Sequence, residues 1–332
     1  MNEVALPPRR SLPDAQAWRG EMSDVGLDWV GMQGIALPLE LAGKPLMAKV
    51  DAGINLRAEA AGERGIHMSR LYLALDELTQ GELTPQRLCR TLQAFLDSQP
   101  EHSDRASLTL SGELLLSRPA LLSPQRGWKA YPLRIEATLT NRLTLALTVG
   151  VPYSSTCPSS AALSRQLAQQ QFQFDFEQAA ERISQRQVSE WLLEQGMPAT
   201  PHSQRSWAWV TVTPENERAF EPVKLIDRIE HALGTPVQTL VKRRDEQAFA
   251  LANGQNLMFC EDAARRLYRM LRSQCDYRAF SLRVEHQESL HAHNAVAELA
   301  GRKSCCVKIP AATCRRSRRW PTSIPPPLSA AG

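Results

Sequence analysis

Apolar and polar positions alternate with period two along much of this chain, and the alternating runs come in pairs separated by stretches of helical period. Residues 35–41 and 46–54 predict two strands joined at Gly43-Lys44. Met68, Leu71, Leu73 and Leu75 among polar neighbours predict a helix over 67–78. A second helix is expected over 84–96, with Thr84 as its cap and Pro85 in its first turn. Strands follow at 106–115 and 133–140, the latter carrying Leu133, Ile135, Ala137 and Leu139 on one face.

The same order then returns. A turn at Asn141-Arg142 opens the alternation Leu143, Leu145, Leu147, Val149, Val151, and 207–213 reads as its partner strand. Helices are expected at 223–233 and 261–272, and a strand at 280–288. Two modules of strand-strand-helix-helix-strand-strand give an α+β fold, an antiparallel sheet with helices on one face. The modules span 29–141 and 142–300, after an extended segment 1–28. The second contains a helical insert at 160–198. There 161–194 reads as helix, with Leu163, Leu167, Phe172, Phe176, Ala180 and Ile183 as a stripe that packs on the sheet or a neighbouring subunit.

Composition changes this picture at the end of the chain. Hydrophobic content of 43% and charged content of 22% suit a soluble globular protein. No apolar run approaches the roughly 18 residues of a membrane span. Residues 1–13 lack the apolar core of a secretory signal, so a cytoplasmic location is expected. Residues 302–332 hold seven basic side chains and no acid. Taking these from the formal net charge of +4 leaves the first 301 residues at −3, so the basic character belongs to the tail. With Pro325-Pro326-Pro327 and no periodicity, 301–332 is expected to be a disordered tail, and nucleic-acid binding is not the favoured reading. Seven cysteines at irregular spacing argue for reduced thiols.

Four scattered blocks carry chemistry. Cys157 follows a strand and opens a helix behind Pro158, a position suited to a nucleophile or a metal ligand. His202 stands in a loop before a strand, with Arg205 three residues on. His291 and His293, two apart on an extended segment, face the same way, and Glu288 lies just upstream. Glu246 ends the run Lys242-Arg243-Arg244-Asp245, either a solvated face or a phosphate clamp beside a carboxylate. Glu261 opens a helix, where it suits the helix dipole or, alternatively, the donor edge of a purine or pterin.

In order along the chain, Leu12-Pro13-Asp14, Gly65-Ile66-His67-Met68-Ser69-Arg70, Val149-Gly150-Val151-Pro152 running into Thr156-Cys157-Pro158, His202-Ser203-Gln204-Arg205-Ser206, Lys242-Arg243 with Asp245-Glu246, and Glu288-Ser289-Leu290-His291-Ala292-His293-Asn294 resemble the prokaryotic GTP cyclohydrolases of type IB. The resemblance implies tandem tunnelling-fold modules assembled as a homotetramer, with GTP and water giving formate and 7,8-dihydroneopterin triphosphate, the first step of folate synthesis. It implies Cys157, His202, Glu246 and His291 as ligands of a divalent ion (zinc, manganese or ferrous iron). Cys157, Glu288 and His293 are then the catalytic positions. Glu261 holds the guanine edge, and Arg70, Arg205, Lys242 and Arg243 meet the triphosphate. Ser159 stands where the family usually has a second cysteine, the insert after Cys157 is longer than in compact members, and the tail has no counterpart. Two other readings share the fold: a non-catalytic purine-binding relative, and a 7-deazaguanine nitrile reductase using Cys157 as a covalent nucleophile.

Overall fold

Each strand pairs antiparallel with its neighbours in sequence, so that a single sheet runs in the order β1 to β8. The strands are β1 (Leu27–Leu41), β2 (Lys44–Leu56), β3 (Ala106–Pro119), β4 (Arg126–Leu139), β5 (Leu143–Thr156), β6 (Ser203–Pro214), β7 (Tyr277–His286) and β8 (Ala295–Arg302). Helices α1 (Met68–Asp76) and α2 (Pro85–Asp97) join β2 to β3. Helices α3 (Pro158–Asp175) and α4 (Gln185–Glu194) join β5 to β6, and α5 (Pro222–Leu233), α6 (Arg243–Gln255) and α7 (Cys260–Ser273) join β6 to β7. This computed structural model describes residues 25–58, 65–100, 102–178, 182–216 and 220–302. The expected strand-strand-helix-helix-strand-strand order is present twice, the second time interrupted by α3 and α4 and enlarged by α6. It is an α+β arrangement, in the order that the resemblance implies.

The period-two pattern explains the sheet. Leu145, Leu147, Val149 and Val151 of β5 and Ala208, Val210 and Val212 of β6 are buried on one face. On the other face Thr148 and Thr211 hydrogen-bond across the strands at 2.8 Å. The helices supply the matching stripes: Leu88, Leu92 and Phe95 from α2, Leu225, Ile226, Ile229 and Leu233 from α5, and Ala263, Leu267 and Leu271 from α7. All join one continuous core. Each fully buried leucine or isoleucine contributes about 1.5–3 kcal/mol relative to exposure. Thr84 caps α2 as expected, accepting the Arg87 N–H at 3.2 Å, with Pro85 beside it in the first turn.

Several expectations shift. Leu41 pairs with Lys44, so the first hairpin turns on Ala42-Gly43, at φ 52° and 66°, one residue earlier than the pattern predicts. The insert is two helices rather than one over 161–194, and its stripe does not pack on this chain's sheet. Ala161 is the one buried residue of α3, while Leu163 is 61% exposed. The insert packs on itself instead, Phe172 meeting Phe176 at 4.8 Å and Trp191 at 5.1 Å between ring centroids. Ala180 lies outside the described residues. Helix α6 is an element that the pattern does not predict, and β8 is the last strand of the second module, for which the module order implies a strand but the pattern gives no bounds. Apart from 25–28 and 301–302, the segments 1–28 and 301–332 also lie outside the described residues. Among those residues no helix is long and apolar enough to cross a membrane, and Cys89, Cys157, Cys260 and Cys275 are free thiols.

Candidate active site

The carboxyl end of β5 gathers most of the chemistry. Register between β5 and β6 holds from Leu147 opposite Val212 to Thr156 opposite Ser203. One step further, the Cys157 N–H donates to the His202 carbonyl at 3.2 Å. The insert 158–201 therefore leaves and returns across a single hydrogen-bonded pair, and Cys157 and His202 are neighbours despite their separation in sequence. Cys157 is also the N-cap of α3, its carbonyl accepting the Ala161 N–H at 3.0 Å. Ser160, in the first turn, accepts the His202 backbone N–H on its hydroxyl at 3.1 Å.

The His202 ring, 19% exposed, has Nδ1 at 3.0 Å from Gln204 Oε1 and at 3.5 Å from Glu288 Oε2. The Glu288 carboxylate is 11% exposed, and its Oε2 is buried without a hydrogen-bond partner among the described residues. Glu288 is held here by the residues on either side of it. Gln287 donates its N–H to the Arg205 carbonyl at 3.3 Å, and Ser289 its hydroxyl to the Ser203 carbonyl at 3.3 Å.

Beneath His202 lies a row of inward-facing polar side chains that sequence reasoning missed. Gln204 Nε2 donates to Ser155 Oγ at 2.9 Å. Ser155 Oγ lies 2.8 Å from Ser206 Oγ and 3.3 Å from His286 Nδ1, and Tyr153 Oη lies 2.8 Å from His286 Nε2. Burial pushes the His286 imidazole down to about 4, the charge of Glu261 opposing it only in part, so this ring is neutral at pH 7. The signal was available in the sequence. Tyr153, Ser155, Gln204 and Ser206 continue the inward register of Val149, Val151, Ala208 and Val210. Polar residues at core positions mark a site more often than a defect.

The remaining blocks flank this centre. Met258 donates its N–H to the Thr156 carbonyl at 3.2 Å, which sets the first turn of α7, with Glu261, beside the end of β5. Cys260 Sγ donates to Glu261 Oε2 at 3.3 Å, and burial together with that carboxylate pushes the thiol up to about 11, so it stays protonated. The basic block is anchored through buried Asp245. That carboxylate accepts the N–H groups of Leu122 at 2.7 Å, Ser123 at 2.8 Å and Lys242 at 2.8 Å. It pins the start of α6 to the β3–β4 loop and leaves Lys242, Arg243 and Glu246 on the accessible side at the same end of the sheet. His291 and His293 stand exposed between β7 and β8, their rings stacked at 5.0 Å and 12°.

Not every expected residue converges. Among the described residues no three His, Cys, Asp or Glu side chains come together to hold a metal ion. Cys157 and His202 are brought side by side by their backbones; Glu246 and His291 share their end of the sheet without joining them. Arg205 alternates with buried Gln204 and Ser206 and is exposed on the opposite face of β6. Arg70 lies at the other end of the sheet, its guanidinium donating to the Ser98 carbonyl at 3.0 Å where α2 ends. A thiol, an imidazole and a carboxylate are nevertheless donor types that suit a divalent ion. Gln204 and Glu288 occupy the surroundings of His202 Nδ1 and leave Nε2 as the nitrogen available to an ion, the backbone of Cys157 is paired to that of His202, and Glu288 offers a buried oxygen with no hydrogen-bond partner among the described residues.

Comparison with known proteins gives the family. The family described as type I GTP cyclohydrolase folE2 matches residues 12–297. The chain is 82% identical over 301 residues to GTP cyclohydrolase FolE2 of Serratia proteamaculans (strain 568), covering 90% of this chain and 97% of that protein. It is 58% identical over 289 residues to GTP cyclohydrolase FolE2 of Citrobacter koseri, covering 87% and 97%, and 54% identical over 289 residues to that of Pseudomonas putida (strain GB-1), covering 86% and 94%. Among solved structures it is similar to the uricase from Arthrobacter globiformis, with a TM-score of 0.49 at 7% identity over 85% of this chain and 96% of that one, a likeness too distant to bear on activity. The chain belongs to the type I GTP cyclohydrolase FolE2 family.

Proposed function

We propose that this protein hydrolyses GTP to formate and 7,8-dihydroneopterin triphosphate, the entry step of folate synthesis, in the cytoplasm. The observation that carries the reading is the meeting of Cys157 and His202 with the buried, unpartnered carboxylate oxygen of Glu288 beside the ring. Cys157, His202, Glu246 and His291 would hold a divalent zinc, manganese or ferrous ion. An ion held there would supply Lewis acidity toward a water able to attack C8 of the guanine ring. Glu288 accepts and returns protons as the imidazole ring opens, a task suited to its buried Oε2, which no hydrogen bond saturates among the described residues. Glu261, in the first turn of α7, takes the N–H and amino donors of the guanine edge. Lys242 and Arg243 neutralise triphosphate oxygens at the opening.

Among the described residues, one chain does not bring together enough side chains to close the metal site. Among them the sheet ends at β1 and β8, Arg70 lies at its other end and Arg205 on its opposite face. A homotetramer in which sheets pair edge to edge, and one copy lends Arg70 to another's triphosphate pocket, accounts for both. Incubating purified protein with GTP and Zn²⁺, Mn²⁺ or Fe²⁺, while following pterin fluorescence and released formate, tests the activity. No pterin with any of the three metals would sink it. Light scattering after size exclusion tests the tetramer, and a monomer that is fully active overturns it.

A further inference from the structure

Gln204 is 8% exposed, and both ends of its amide are engaged by neighbours in the fold. Its Oε1 lies 3.0 Å from His202 Nδ1 and its Nε2 2.9 Å from Ser155 Oγ. Ser155 is itself fixed between Ser206 Oγ at 2.8 Å and His286 Nδ1 at 3.3 Å, both on buried residues. The amide could in principle be turned over, which would place its NH₂ against His202 and leave the ring proton on Nε2. Glu288 decides between the two. Its Oε2 lies 3.5 Å from the same Nδ1, and a nitrogen lone pair facing a carboxylate is repelled where an N–H is attracted. With two acceptors converging on it, Nδ1 carries the proton.

We infer that Gln204 is a positioning residue: its buried amide, braced by Ser155, holds the His202 proton on Nδ1 and leaves the Nε2 lone pair as the one available to a ligand. This rests on His202 being a metal ligand, and assigns to Gln204 a role that the ligand set does not include. A histidine whose second nitrogen donates to an oxygen is fixed in ring angle and tautomer, and is the better electron donor for it. Ser160 completes the arrangement from the backbone side by accepting the His202 N–H at 3.1 Å.

The test compares the parent with Gln204→Leu, Gln204→Glu and His202→Ala. Zn²⁺ affinity is read by competition with a chromogenic chelator, and the His202 tautomer by ¹⁵N shifts of histidine-labelled, metal-free protein. The expected parent tautomer is Nδ1–H. Gln204→Leu, which loses the acceptor, should bind Zn²⁺ about 10- to 100-fold more weakly. Gln204→Glu, which keeps an acceptor, should bind at least as tightly as the parent, a rescue that space-filling alone would not produce. An Nε2–H tautomer in the parent overturns the inference, as does Gln204→Leu binding Zn²⁺ like the parent while His202→Ala is defective. Should Gln204→Leu fail to fold, the parent tautomer and Gln204→Glu still decide. Zn²⁺ binding undiminished in His202→Ala overturns the metal-site reading instead, and the tautomer measured without metal then decides the role of Gln204 by itself.

Discussion

Glu288 Oε2 lies 3.5 Å from His202 Nδ1, buried and with no hydrogen-bond partner among the described residues. A carboxylate oxygen left unsatisfied in this way is costly unless something else takes it up in the working enzyme. Proton transfer to and from the substrate fits that role. Glu288→Gln keeps the shape and loses the base. Turnover of GTP should fall by about 10²- to 10⁴-fold with Zn²⁺ content unchanged. Retained turnover would remove Glu288 from the chemistry.

Cys157→Ala removes a soft donor whose backbone is paired to His202. The loss in metal affinity should exceed the about 10- to 100-fold typical of an outer hydrogen-bonding partner. Metal content measured by mass spectrometry and pterin formation should fall together. Unchanged metal and unchanged rate would displace the site from Cys157 altogether.

His286 makes stability depend on pH in a defined window. Burial pushes its imidazole down to about 4, against an ordinary value of 6.5 in the unfolded chain. The unfolded chain therefore binds a proton first as pH falls. The stabilising contribution is complete above about pH 6.5 and shrinks by up to roughly 3 kcal/mol as pH drops towards 4. Urea midpoints at about pH 7 and pH 4.5 should move less in His286→Gln than in the parent. Equal shifts in the two proteins would contradict the assignment.

Asp245 gives a second, more acidic dependence. Burial alone would raise its carboxyl, but hydrogen bonds from Ser123, Lys242 and Leu122 outweigh it and hold the group well below the usual carboxylate range. The contribution is present above the unfolded value and is lost as pH falls below about 4. Asp245→Ala should free the start of α6 from the β3–β4 loop and raise KM for GTP severalfold with little change in kcat, since it disturbs Lys242 and Arg243 without touching the reacting atoms. A kcat loss at unchanged KM would place Asp245 in a different role.

Much of the fold was legible because it rests on periodicity. Leu145 to Val151 and Leu225 to Leu233 advertise strand and helix through positions that the structure buries. Helix α6 was not legible. It buries little beyond Asp245, so no apolar stripe announces it, and its start is set by a carboxylate binding a loop far away in sequence. Strand β8 was implied by the module order, but its bounds were not legible for a related reason: its residues alternate between half-buried and exposed, as befits an edge. In the site, Cys157, His202 and Glu288 could be nominated from residue type and family resemblance. Their adjacency could not, because it is made by the register of β5 against β6 and by the contacts of Gln287 and Ser289 with β6. The Gln204–Ser155 support was visible only as polar residues where the strand pattern demanded apolar ones.

The excursion from Cys157 to His202 begins and ends on one hydrogen-bonded pair, with α3 and α4 packing mainly against each other. Its size is thereby uncoupled from the spacing of the two residues it separates. Beyond the first turn of α3, which Ser160 ties to His202, this segment can be lengthened, shortened or exchanged without moving either side chain. It is a natural graft point, where a reporter or a foreign domain could be carried beside Cys157 and His202 while the strands beneath keep their register.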